Sequence, residues 1–174
     1  MTDDEHKFVY ELLKNIFSNL NNWLTFAEAK NAAIIAFNIA CLSFLFSIEW
    51  IAEIKIFVYI VSVGIIISII MALNTFIPKM GKEIDSYNYF SETDNLLFYR
   101  DIAKYDVDNY LKLVFKKYRD IDVSDNDIHK IEKDLAWEII YNAKVATRKY
   151  ELFNKAINVD IVVFISMIVL LFVS

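Results

Sequence analysis

The residues best equipped for chemistry stand together in the last third of the chain: Trp137, Tyr141, Asn142, Lys144, Arg148, Lys149 and Tyr150. Trp137, Tyr141, Lys144 and Arg148 step by three or four, which sets them along one face of a helix. Aromatics followed by cations on one stripe can stack a base and hold a phosphate, since Arg presents a planar fork of donors. The competing reading is structural: Lys144, Arg148, Lys149 and Lys155 form the basic flank of a membrane span, and the aromatics are core. A second set is Glu28, Lys30, Asn31 and Asn38. Asn31 and Asn38 are seven apart and share a helix face, with Asn38 deep in an apolar run. An amide in lipid needs a partner, so that face meets another helix or a second copy, or lines a pore. Asp160 is the single charge within residues 156–174, and ionisable groups in such surroundings are expensive.

Catalytic constellations are missing. His6 and His129 are far apart and show no H-x-x-x-H spacing; they read as exposed surface residues, and no metal site is expected. The run Asp120, Asp122, Asp125, Asp127 lacks the central Gly and the terminal Glu of a calcium loop, so it reads as a solvated, helix-capping turn. No G-x-S-x-G, Walker loop or G-x-G-x-x-G occurs. Cys41 is the single cysteine, which excludes an internal disulfide and a cysteine-based zinc site. It lies in an apolar run and reads as packing. The expectation is a protein that is not an enzyme and carries no cofactor.

The elements that must hold these groups follow from composition. The chain has 174 residues, of which 57% are apolar and 24% charged, with a net charge of −5. The apolar share is high for a soluble domain while the charge is ordinary, so apolar stretches must be segregated. Two Gly and one Pro leave few tight turns, against a sandwich, a barrel or a Gly-rich nucleotide fold. Mild acidity argues against nucleic-acid binding. Residues 31–48 and 56–78 carry no charge, and residues 156–174 carry only Asp160. A span needs roughly 20 apolar residues, so three transmembrane helices are expected, the third the shortest. The fold class is all-α: an amphipathic helix over residues 1–25, a transmembrane hairpin over 26–78, a helical region over 79–155, and a third span over 156–174. The first 30 residues have no cleavage-site pattern of a signal peptide.

Fourteen of the 18 Lys and Arg fall between Lys79 and Lys155, so the positive-inside rule puts the N-terminus and central region in the cytoplasm. Trp50, in the short outward connection, reads as an interfacial anchor. Thr2 and Glu5 form a capping box, after which Phe8, Leu12, Ile16 and Leu20 recur every four residues, widened by Val9, Leu13 and Phe17. Asn19, Asn21 and Asn22 either break this helix or let it run into the first span. Pro78 and Gly81 stop the second span, and the aromatic residues 87–90 read as interfacial. Ser91 to Asp94 supplies an S-x-x-D helix start, with Leu96, Leu97, Ile102 and Ala103 as its apolar face. Asp106 caps a helix through Tyr110, Leu113, Val114 and Phe115. From Asp125 onward neither Gly nor Pro occurs, so one helix of about 50 residues, or about 75 Å, is possible.

In this order the features resemble the Pycsar effector family. The opening WLTFAEAKNAAIIAFN (residues 23–38) matches its acid and lysine before a span with an Asn inside. Asn95, Leu96, Leu97, Phe98, Asp101 and Ile102 match its next landmark, DNYL (residues 108–111) a further one, and YNAKVATRKYELFNKA (residues 141–156) its closing pattern. The chain departs from the family at Trp137-Glu138, where Gln is usual, and adds Lys155 and Asn158. The resemblance implies a bacterial antiphage effector of the inner membrane, triggered by a cyclic pyrimidine mononucleotide and impairing the membrane. The residues themselves are compatible with a homo-oligomeric membrane protein that contacts lipid and is sensitive to a cytoplasmic ligand. Other readings are a non-toxic scaffold that recruits a protein through its cytoplasmic helices, or a small channel subunit.

Overall fold

The computed structural model describes residues 2–77, 91 and 93–173. The expectations placed on Pro78, Gly81 and residues 87–90 lie outside them. Among the described residues there are five helices and no strand: α1 (Asp3–Ser47), α2 (Lys55–Leu73), α3 (Tyr99–Ile102), α4 (Val107–Arg119) and α5 (Lys130–Val173). The all-α expectation holds, and α1, α2 and α5 are each long and apolar enough to cross a membrane.

Helix α1 begins as its sequence requires. Thr2 N–H donates to Glu5 Oε2 at 2.7 Å, and Glu5 N–H donates to Thr2 Oγ1 at 3.4 Å, while Asp3, Asp4 and Glu5 set negative charge against the helix N-terminus. Asn19, Asn21 and Asn22 do not interrupt it. With neither Gly nor Pro in its 45 residues, nothing removes a backbone donor or relaxes the turn. At its far end the indole N–H of Trp50 donates to Leu45 O at 2.7 Å, meeting one of the carbonyls that a helix end leaves unpaired. Trp50 is buried, so it serves as a cap and a core residue of the hairpin.

The chain divides into two compact units, Met1–Thr25 with Lys79–Thr147, and Phe26–Pro78 with Arg148–Ser174. In the first, the buried stripe of the arm is Val9, Leu13, Ile16 and Leu20. All four belong to the expected stripe, but Phe8 at its start does not: it is exposed, and the Arg119 guanidinium lies 4.9 Å from its ring centre. Ser91 and Asp94 form a turn without starting a helix; α3 opens five residues later. Leu96, Ile102 and Ala103 are buried as expected, whereas Leu97 is exposed. Asp106 caps α4 by accepting from Asn109 N–H at 2.9 Å. That helix ends at Asp120 in the left-handed region, φ 53°, a conformation short polar side chains tolerate. The acidic run is solvated and paired, Lys112 with Asp125 and Lys116 with Asp120 and Asp122, and Ser124 bonds Asp127.

In the second unit Cys41, Leu45, Val58, Val61, Ile65, Val163, Met167 and Leu170 form one core cluster. Gly64 brings α2 and α5 together, since a Cβ there would lie 2.8 Å from Val163 Cγ2. Small residues let backbones approach in just this way where lipid gives no hydrophobic drive. Ile56, Phe57, Ile60, Val162, Ile165 and Phe172 are each more than half exposed, the surface a lipid tail would cover.

Candidate functional site

Helix α5 positions the stripe. On it Ala136, Ile139, Ile140, Ala143 and Ala146 are buried, which turns the intervening residues outward. Trp137 is 54% exposed and stacks on Tyr141 with ring centres 5.4 Å apart and planes 8° from parallel. The reading of these aromatics as core therefore fails for Trp137. Trp137 also lines an open groove with Tyr10, Lys14, Asp134 and Glu138, whose two acids oppose an anion on that side. Asn142 donates to Asn21 Oδ1 at 3.3 Å, and Lys144 is half-buried.

Arg148 and Lys149 belong to the second unit and are engaged there. Arg148 donates to Asn74 O at 3.1 Å and Ile77 O at 3.4 Å, a cation on the carbonyl end of α2. Lys149, buried, forms an ion pair with Glu28. Lys30 lies 4.6 Å from the centre of the Phe26 ring, 5.5 Å from Tyr150 and 5.2 Å from Phe153, a cation held by ring faces. All four flanking charges and amides of the second set lie in this unit. Asn31 donates to Ala27 O at 2.8 Å. Asn38 donates to Ser68 Oγ at 3.0 Å, and Ser68 donates to Ala156 O at 3.4 Å, so one amide ties α1 to α2 and, through a hydroxyl, to α5. Yet Asn31 Oδ1, Asn38 Oδ1 and both oxygens of Asp160 are buried without a hydrogen-bond partner among the described residues. Asp160 is 4% exposed.

Two groupings in the first unit were not foreseen. Asp94 is buried and accepts from Tyr105 Oη at 2.9 Å, Lys104 Nζ at 2.7 Å and Ser91 N–H at 3.1 Å. Burial works to raise this carboxyl, but the bonds from Lys104, Ser91 and Tyr105 outweigh it and hold the group below the ordinary carboxylate range. Lys104 also bonds Asp101, which with Asp94 raises its own ammonium. Burial, then the bond to Asp94, pushes the Tyr105 hydroxyl up to about 12. The second grouping corrects the reading of His6 as exposed. His6 is buried, and its Nδ1 lies 2.8 Å from Glu132 Oε1. It stacks on His129, which is exposed, at 3.7 Å between ring centres and 9° between planes. The signal was present as H-x-x-E, His129 and Glu132, at the start of the last helix, with a lone His on the opening helix. Helix periodicity alone does not reveal which two first turns meet.

In chemical terms the first unit offers an exposed aromatic stack, and the second a membrane-length bundle with unsatisfied polar atoms. The Pycsar effector protein domain (PycTM) matches residues 12–174. Comparison with curated proteins and with solved structures finds no match. The residues matched run from the arm to the last span, so the chain belongs to the Pycsar effector family and is a membrane effector of that antiphage system.

Proposed function

We propose that a cyclic pyrimidine mononucleotide switches this effector, which then impairs the inner membrane without catalysing a reaction. The observation that carries the ligand half is the exposed Trp137–Tyr141 stack. A buried core has no use for an indole more than half in solvent, whereas base–aromatic stacking is worth about 1–3 kcal/mol. Lys144, one turn beyond Tyr141 on α5, would hold the phosphate and Asn142 the base edge. Arg148 and Lys149 are spent on Asn74, Ile77 and Glu28 within the second unit, so neither is assigned to the nucleotide. The basic residues gathered between Lys79 and Lys155 favour the cytoplasm for this surface, where a second messenger would reach it.

The membrane half rests on Asp160, Asn31 and Asn38. Polar atoms buried without partners among membrane-length helices are costly, and a rearranged assembly of several copies would supply water or partner groups to them. A ligand that favours that arrangement shifts the population toward it. The test is calorimetry on the full chain in nanodiscs with cyclic cytidine or uridine monophosphate, followed by membrane-potential dye in cells given the nucleotide. Binding that Trp137→Ala weakens at least tenfold, with depolarisation only when nucleotide is present, is expected. No binding of either nucleotide removes the trigger; depolarisation without nucleotide makes the protein a constitutive channel.

A further inference from the structure

We propose that His6, His129 and Glu132 form a binding site for a divalent transition-metal cation of the zinc class. Each offers one ligand atom, and these atoms all lie within 4.8 Å of one another. Two imidazoles and a carboxylate are a donor set suited to zinc and its neighbours, with water completing the coordination. Side-chain movements of about an ångström would bring these atoms round one ion. Ligands about 2.0–2.2 Å from a tetrahedral ion lie roughly 3.3–3.6 Å apart, and His6 Nδ1 is already 2.8 Å from Glu132 Oε1.

The pair His6–Glu132 is held in place from outside the site. Glu132 Oε2 accepts from His129 N–H at 2.9 Å, so capping the first turn of α5 fixes the carboxylate while Oε1 faces His6. His6 also meets the edge of Phe115, centres 6.0 Å apart at 78°, which limits its rotation. Among the described residues the His129 ring is engaged only by its stack on His6. An ion lies in the plane of an imidazole that ligates it, so two parallel rings cannot share one. His129, exposed at the helix start, is the ring free to tilt, and its exposure leaves an entry path. Filling the site would join the first turn of α1 to the first turn of α5 within the first unit, adding binding free energy to its folding. A bare hydrogen-bonded His–Glu pair accounts for two of the three side chains but gives the His129 stack no role.

The experiment uses the full chain in detergent, stripped with a chelator and titrated with Co²⁺ and then Zn²⁺. One equivalent of Co²⁺ per chain with a visible absorption band, displaced by Zn²⁺, is expected. His129→Ala should weaken Zn²⁺ at least about tenfold, as losing even an outer-shell partner does. Its melting curve without metal should match the parent, because the ring is on the surface. His129→Asp, which restores a ligand, should recover most of the affinity. Equal Zn²⁺ affinity in the parent and His129→Ala, or no Co²⁺ band in the parent, overturns the proposal.

Discussion

Tyr105 donates its hydroxyl to Asp94 at 2.9 Å, with neither side chain able to reach bulk water freely. Lys117 Nζ adds a bond to Asp94 O at 3.0 Å and Tyr110 Oη one to Leu96 O at 2.9 Å. The segment Thr93 to Phe98 has almost no regular structure, so these side-chain bonds replace the ladder a helix would supply. The residues that resemble the family's second landmark, Asn95 through Ile102, are thus largely the turn this knot secures; Asp101 accepts from Asn95 N–H at 3.1 Å.

Removing one partner should therefore destabilise the first unit selectively. Tyr105→Phe is expected to cost about 1–2 kcal/mol, read as a lower melting temperature of the full chain in detergent. The pH dependence has two signs. Asp94 is held below its ordinary value, so its contribution is present above the unfolded value, about 3.9, and is lost as pH falls through the folded one. Tyr105 is raised to about 12, so its contribution is complete below the unfolded value of about 10 and fades as pH rises toward the folded one. Asp94→Asn should flatten the acid limb of the stability profile, and Tyr105→Phe the alkaline limb. A parent profile with neither limb would refute the knot.

Gly64 makes a separate prediction for the second unit. Its missing Cβ would stand 2.8 Å from Val163 Cγ2, so Gly64→Ala must push a branched, χ1-restricted side chain away from α2. Overpacking of this kind typically costs about 1–3 kcal/mol. Val163→Ala in the Gly64→Ala background should restore part of the loss, a coupling that a double-mutant cycle in detergent measures. Strictly additive effects would mean that the cost of Gly64→Ala does not come from Val163.

Much of this was legible from types and spacing. The absence of Gly and Pro from 125 onward announced α5, and the T-x-x-E box announced the start of α1; both signals are local, so the chain carries them whole. The knot on Asp94 and the His6–Glu132 pair were not legible, since each needs residues brought together by tertiary packing. His6 and Glu132 are 126 positions apart. The stripe from Trp137 to Arg148 was readable as one helix face. Its division was not: Trp137 to Lys144 belong to one unit and Arg148 to the other, because a helix face says nothing of where compact packing changes hands. Periodicity placed both Phe8 and Val9 on the arm's apolar face but could not tell that only Val9 is buried, since both four-residue series fit an amphipathic helix.

Arg148 and Trp137 should separate when each is replaced. Arg148→Ala removes donors from Asn74 O and Ile77 O and is expected to lower stability by about 1 kcal/mol, with nucleotide affinity within about threefold of the parent. Trp137→Ala, from an exposed position, should leave the melting temperature unchanged and weaken the nucleotide at least tenfold, in line with the loss of one stacked base. Calorimetry and melting on the same samples give both numbers. A folded Arg148→Ala protein that loses the nucleotide would move the phosphate contact to Arg148.

Asp160 carries the last prediction. Its carboxylate is buried with neither oxygen bonded among the described residues, on a helix free of charge from Ile161 to Val173. If it served packing alone, a residue of similar volume without the carboxylate would do better: removing an unpartnered buried polar group relieves its desolvation. Asp160→Leu should then raise the melting temperature in detergent. If the carboxylate is retained for the arrangement that damages the membrane, the same substitution should also abolish nucleotide-dependent depolarisation while the protein still inserts at parental levels. Asp160→Asn keeps hydrogen-bonding capacity without a carboxylate and should show intermediate toxicity. Stability and depolarisation measured together decide the matter. A stabilised Asp160→Leu protein that depolarises cells as well as the parent would reduce Asp160 to an unused polar group.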